Sequence, residues 1–236
     1  MNRAWTVQQS LTADIKVNQG NFIHFRRGDG MNLLKKTATG ILVLALVLGA
    51  CACSKRMSLD KISKVAEECG LEETGDEERL QKDVGAAQDY NEMVYYCSDK
   101  PKKAQKIYDI VFNRSNTYPA AEVTTAAFMY SNVINSNGDA VRENAYLFTF
   151  KSNKKANEFY EMLVRQMGVL QVVQGKDKYS YTLYLDHVDK YVIEQGMYVE
   201  GNTVIVVSGI GYNYNDFSLI DRLCKEMDIL SPESAK

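Results

Sequence analysis

A chain of 236 residues with only two histidines has few groups able to exchange a proton near neutrality, so His187 is the first residue to question. It lies between Asp186 and Asp189, an arrangement that would serve a general base if a partner and a pocket were supplied. A polar turn between two strands explains the same residues and is the preferred reading; the alternative is a hydrolase or transferase using Asp186, His187 and Asp189. No G-x-S-x-G elbow, HExxH pair or phosphate-binding P-loop occurs. Gly209-Ile210-Gly211 is not a dinucleotide fingerprint, because Tyr214 takes the third glycine position, and these glycines instead predict a sharp turn from strand to helix. Asn135 to Asp139 lacks the ligand set of a calcium loop and predicts a solvated turn. The five cysteines show neither CxxC nor zinc spacing, so the sequence implies no metal and no cofactor.

Two further groups of residues could carry binding. Lys102, Lys103 and Lys106, with Lys154 and Lys155, recur at the starts of two predicted helices. Cations there oppose the helix dipole by about 0.3–1 kcal/mol each, a penalty that an anionic ligand would offset. A solvated face is the plainer account. Tyrosines crowd the C-terminal third, at 179, 181, 184, 191, 198, 212 and 214. Core and cross-strand pairing explains most of them; an exposed partner surface would draw on Tyr181, Tyr184 and Tyr198.

A different kind of chemistry is written around Cys51. Met31 opens a segment in which Lys35 and Lys36 precede an apolar run from Gly40 to Leu48, which ends in small residues. That is the layout of a secretory signal peptide, and the run is too short for a bilayer span of roughly 20 residues. The sequence Leu48-Gly49-Ala50-Cys51 resembles the lipobox of bacterial lipoproteins. The resemblance implies that a diacylglyceryl group is added to the Cys51 thiol and that cleavage leaves this cysteine as residue one. The protein would then sit at the cell membrane, lipid-anchored on its extracytoplasmic face. The register ending at Cys53 places Ala50 where the family prefers Leu or Val, and is rejected.

Residues 1–30 precede that signal. Arg26-Arg27 can be encoded by a purine run resembling a ribosome-binding site just before a start at Met31. Residues 1–30 are therefore expected to be a start-site artefact, with a real extension as the alternative. From Cys51 onward the chain holds 22 basic and 28 acidic residues, a charge of −6. An acidic body is repelled by an anionic membrane, whereas Lys55 and Arg56 stand where they could touch head groups. The tether of residues 51–57 reaches at most about 25 Å before the first helix signal at Ser58.

The elements that must hold these residues follow from periodicity. The whole chain is 45% apolar and 25% charged, as expected of a folded protein, and its net charge of −2 offers no electrostatic reason to bind nucleic acid. Ser58 caps a helix with Leu59, Ile62, Val65, Ala66 and Cys69 on one face. Residues 72–83 read as a solvated turn or short helix. Asn91 to Cys97 is a strand, and Ser98 or Asp99 caps a helix built on Ala104, Ile107, Tyr108, Val111 and Phe112. The unit recurs: a strand at Tyr146–Phe150, a cap at Ser152, and a helix on Ala156, Phe159, Tyr160, Leu163 and Met167. Lys102-Lys103-Ala104 and Lys154-Lys155-Ala156 lie 52 residues apart. Thr124–Val133 and Val141–Phe150 form a hairpin between the units. Strands follow at Tyr179–Leu185, Tyr191–Val199 and Thr203–Val207, the last apolar on both faces and hence central. Asn215 or Asp216 caps a final helix on Phe217, Ile220, Leu223, Cys224 and Met227. Buried free thiols are the preferred state of the cysteines beyond Cys51, though a disulfide is allowed outside the cytoplasm.

The sum is an α+β domain at residues 58–230 with a tail at 231–236: a mainly antiparallel sheet, helices packed on one face, and the ferredoxin-like βαββαβ order extended by a hairpin and a C-terminal helix. Residues Tyr179 to Ile229, with a Tyr-rich strand, a second strand ending before Gly-Asn-Thr, an apolar strand and a closing amphipathic helix, resemble the C-terminal part of small uncharacterised lipoproteins of Gram-positive bacteria. That resemblance implies no activity. The function expected is a non-enzymatic binding or interaction module at the cell envelope, its partners the membrane through lipidated Cys51 and an envelope polymer or protein.

Overall fold

The computed structural model describes residues 56–74, 92–112, 122–134, 138–167, 172–212 and 217–235. The chain divides into two units, Met1–Ala52 and Cys53–Lys236. The first of these, with the segment around Cys51, lies outside the described residues, as do residues 75–91, 135–137 and the caps expected at Asn215 or Asp216.

Among the described residues the second unit is α+β, with four helices and a mixed eight-stranded sheet. In chain order the elements are α1 (Leu59–Glu68), β1 (Glu72–Glu73), β2 (Glu92–Ser98), α2 (Pro101–Phe112), β3 (Val123–Ile134), β4 (Ala140–Phe150) and α3 (Asn153–Met167). They continue with β5 (Val173–Lys176), β6 (Ser180–Val188), β7 (Tyr191–Glu200), β8 (Thr203–Tyr212), α4 (Ser218–Met227) and a 3-10 turn at Pro232–Ala235. The strands lie in the order β1-β2-β3-β4-β8-β7-β6-β5. Every pairing is antiparallel except β1 with β2.

The ferredoxin-like order does not occur. That order requires the Tyr179 strand to lie beside the Met93 strand, whereas β6 sits between β5 and β7 at the far side of the sheet. The reason is the direction of β3. Ser98, the last residue of β2, pairs with Ala126 near the start of β3, so the two strands run antiparallel although a helix joins them. The sheet is two meanders, β2-β3-β4 and β5-β6-β7-β8, joined along β4 and β8.

The helices also occupy both faces rather than one. On the first face α1 and α4 cover Tyr95, Ala127, Met129, Ala145, Leu147, Ile205 and Val207. On the second α2 and α3 cover Tyr96, Ala126, Phe128, Phe148, Phe150, Val204 and Val206. Odd and even residues of the central strands are both apolar, so either face left bare would expose a core-sized patch. The second core is aromatic: the Tyr108, Phe112, Phe148, Phe150 and Phe159 rings meet at 5.1–6.3 Å, mostly edge to face.

The hairpin of Thr124–Val133 with Val141–Phe150 is present, with Val133 opposite Val141. β8 is interior as expected from its two-sided apolar run, and Val204 to Val207 are all buried. It runs on, however, through Ser208-Gly209-Ile210-Gly211 to Tyr212, so these glycines make no turn. Gly209 instead admits the Phe217 ring, which would lie 2.7 Å from a Cβ at that position. The 52-residue repeat has a structural counterpart. The Ala104 amide donates to the Lys100 carbonyl at 2.9 Å and the Ala156 amide to the Ser152 carbonyl at 3.1 Å, and Ala104 and Ala156 are each fully buried. Ser152 Oγ also accepts the Lys155 amide at 3.3 Å, whereas Ser98 Oγ accepts that of Lys100, ahead of α2.

Candidate functional site

The residue nearest Cys51 that the structure describes is Arg56, and it is held firmly. Its Nη1 donates to the Asp228 carboxylate and, at 2.6 Å, to the Asp228 carbonyl. Its Nε lies 3.6 Å from Glu200, and its guanidinium sits 5.7 Å from the centre of the Tyr179 ring. Next to it Met57 is buried in the first core. The arrangement depends on how α4 ends. Asp228 adopts the left-handed conformation (φ 53°), the Ile229 amide returns to the Cys224 carbonyl and the Asp228 amide to that of Lys225. This stop turns the Asp228 carbonyl and carboxylate toward the incoming chain. Arg56 is therefore not free to touch head groups, contrary to the sequence expectation.

Around Arg56 the first pole of the molecule is assembled. A concavity of about 320 Å³ is lined by Arg56, Lys176, Lys178, Tyr181, Asp228 and Leu230, among others. Lys176 and Lys178 project from the β5–β6 hairpin and are exposed. Its floor is fixed by two tyrosines. Tyr198 Oη donates to the Leu230 carbonyl at 2.6 Å, and the Leu230 amide donates to Tyr179 Oη at 2.8 Å.

Those bonds decide the fate of the tyrosine surface. Tyr198 is 0% exposed, and burial with Cys224 at 4.0 Å pushes its phenol well above its ordinary range. Tyr184 is buried in the second core and donates to Asp186 at 2.9 Å; burial first, and that carboxylate second, raise it to about 12. Tyr181 is half-buried against the first core. A partner surface of Tyr181, Tyr184 and Tyr198 is thus excluded, because alternation sends Tyr181 and Tyr184 to opposite faces and Tyr198 is sealed beneath the chain that follows α4.

Three of the five exposed large apolar residues among the described ones lie at the other end of the sheet, while Val173 and Leu230 do not. Ile134, Val188 and Tyr191 are 45%, 46% and 37% exposed. Val188 pairs with Tyr191 and Tyr191 with Tyr212, whose rings meet at 5.2 Å. Ile134, paired with Ala140, continues the row on the second face. One row inward lie Arg142 and Asn132, and the next holds Tyr130, Asn144, Ser208 and Gln195. This distal row was missed in the sequence because its members are strand-terminal residues scattered over 78 positions.

The acid–base candidates sit on the same end. Asp189 (φ 56°) and Lys190 form the two-residue β6–β7 loop, beside exposed His187, and Asp186 accepts the His187 amide at 2.8 Å. They form a solvated hairpin, with nothing enclosing the imidazole among the described residues. The lysines are likewise at the surface. Lys102, Lys103, Lys106, Lys154 and Lys155 are exposed, and Lys154 and Lys155 lie 3.9 and 3.1 Å from Glu158. The structure brings the starts of α2 and α3 to one end of one face, but Ser152 already takes an amide at the start of α3.

Sequence reasoning also missed two buried carboxylates. Glu143 on β4 and Glu194 on β7 both pair with Gly209, on the first face. Glu143 Oε2 accepts the Ile220 amide at 2.9 Å and so caps α4 from the sheet. Cys69, Cys97 and Cys224 are free thiols, all raised above their ordinary pKa chiefly by burial, Cys224 to about 12. Among the described residues there is no helix long and apolar enough to cross a membrane, and no cluster of side chains suited to a metal ion.

No family model matches the chain, and no curated protein matches it. Among solved structures, the extracellular domain of PknH from Mycobacterium tuberculosis aligns with 74% of this chain and 98% of its own length, at 12% identity and a TM-score of 0.36. That likeness is too loose to bear on fold or function.

Proposed function

We propose that the chain is a lipid-anchored, extracytoplasmic binding or interaction module, held at the cell membrane through Cys51 and presenting its surface to an envelope polymer or protein. The observation that carries this reading is the order Lys35-Lys36, apolar run, Leu48-Gly49-Ala50-Cys51. The folded body supports it, since Arg56, five positions beyond that cysteine, is held by Asp228. The binding surface belongs to the distal row of Ile134, Val188 and Tyr191, replacing the tyrosines first considered. Isolated exposed apolar residues are ordinary, but an apolar row across neighbouring strands favours an interaction site.

The test is substitution of Cys51 by serine in cells fed labelled palmitate. The native chain is expected to incorporate label and partition into detergent, whereas Cys51→Ser is expected to lose both properties. Equal partitioning and labelling of the two would overturn the proposal. The hydrolase or transferase reading through Asp186, His187 and Asp189 has no supporting geometry, as those groups line an open turn.

A further inference from the structure

The length of chain between Cys51 and the body fixes which way the body faces. Arg56 is five residues from the acylated cysteine that the proposed function supplies, and five extended residues span at most about 18 Å. Because Arg56 is bound to Asp228 and Glu200, that reach is measured from a fixed point on the surface. The pole around Arg56 must stay near the bilayer, while Val188, eight residues along β6 from Ser180, lies about 27 Å away along the strand.

We infer that the pole formed by the β5–β6 hairpin and the chain after α4 rests on an anionic phospholipid surface, with Lys176 and Lys178 against lipid phosphates and Leu230 at the head-group boundary. The inference rests on the lipid-anchor reading and extends it. Lys176 and Lys178 are exposed, line the same concavity as Arg56, and form no ion pair among the described residues. Asp228 and Glu200 face Arg56, Asp177 lies between the two lysines as the hairpin's own countercharge, and exposed Glu233 stands on the 3-10 turn after α4. Leu230 is 41% exposed in the same concavity, an apolar side chain with no core to enter. A body of charge −6 is repelled by an anionic leaflet as a whole, so contact at this pole must be made by the hairpin tip Lys176-Asp177-Lys178, whose own net charge is +1. The anchor supplies proximity, and the hairpin supplies orientation.

Trp5 is the only tryptophan and precedes Cys51, so the processed chain has none, and single tryptophans can report position. Processed lipidated protein beginning at Cys51 and carrying Leu230→Trp, Lys176→Trp or Val188→Trp is reconstituted into vesicles of equal phosphatidylglycerol and phosphatidylcholine containing brominated lipid. All three should sediment with the vesicles. Quenching is expected for Leu230→Trp and Lys176→Trp and not for Val188→Trp. Adding Lys176→Glu and Lys178→Glu to Leu230→Trp should abolish its quenching while sedimentation persists. Quenching that is equal at both poles, or unmoved by charge reversal, overturns the inference and leaves the anchor standing. Protein that stays in the supernatant overturns the anchor and this inference together. Lys176→Trp lies on an exposed hairpin and guards against a Leu230 variant that fails to fold.

Discussion

Arg56 joins the entering chain to the residue that ends the last helix, 172 positions away. Asp228 is largely exposed, which limits the ion pair to the scale of surface pairs, and the contact with Tyr179 adds a comparable amount. Arg56→Ala is expected to cost about 1 kcal/mol, read as a fall of about 3 °C in Tm. Asp228→Asn keeps a residue tolerant of the left-handed conformation while removing the charge, and should cost less than Asp228→Val, which loses both. Cys224 gives a pH dependence with a definite sign. Its thiol ionises near pH 9 in an unfolded chain and at about 12 when folded, because burial penalises the thiolate. The stabilisation is complete below pH 9 and is lost as pH rises toward 12, by at most about 1.4 kcal/mol per pH unit. Denaturation midpoints across pH 8 to 11 should fall, and Cys224→Ala should flatten the decline. Its burial was legible from the helical spacing of Phe217, Ile220, Leu223, Cys224 and Met227, whereas the link from Arg56 to Asp228 was not, since no local pattern joins such distant residues.

At the level of elements, α4 shows what periodicity can and cannot reveal. Its apolar face was readable, but its N-terminus is completed by Glu143 from β4 rather than by its own sequence. Glu143→Leu removes the acceptor and leaves the Ile220 amide buried and unpaired, at a cost of about 2 kcal/mol. Glu143→Gln keeps an oxygen there, and chemical denaturation should show it losing less than half as much. Gly209 was expected to bend the chain and instead lies flat in β8 beneath Phe217. Gly209→Ala should cost about 2 kcal/mol through overpacking against the ring, and Phe217→Leu in the same chain should recover part of it, as a double-mutant cycle would show. Glycine in a strand signals either a bend or a close neighbour, and the neighbour came from a helix that the local sequence could not place.

For the whole molecule, most strands and all four helices could be read from the chain, while their arrangement could not. The direction of β3 converts a presumed split crossover into two meanders, a choice made by long-range pairing. The two-sided apolar run at Val204–Val207 implies helices on both faces as well as a central strand. The surface was the least legible part, because Tyr184 and Tyr198 follow the alternation of buried strands while the exposed row is assembled from strand ends. Capture of an envelope component on the immobilised full chain is expected to fall sharply with Val188→Asp and Tyr191→Asp together, and to be unchanged by Lys154→Glu. The reverse result would move the binding surface to the start of α3.

The two outermost strands govern how copies of the chain meet one another. β1 is two residues long, Glu72-Glu73, and β5 only four. A neighbouring copy trying to extend the sheet at β1 would find a ladder of two rungs guarded by adjacent carboxylates, a poor template for edge-to-edge growth. Copies brought together in two dimensions by the proposed lipid anchor would thus collide at that margin without zipping into aggregates.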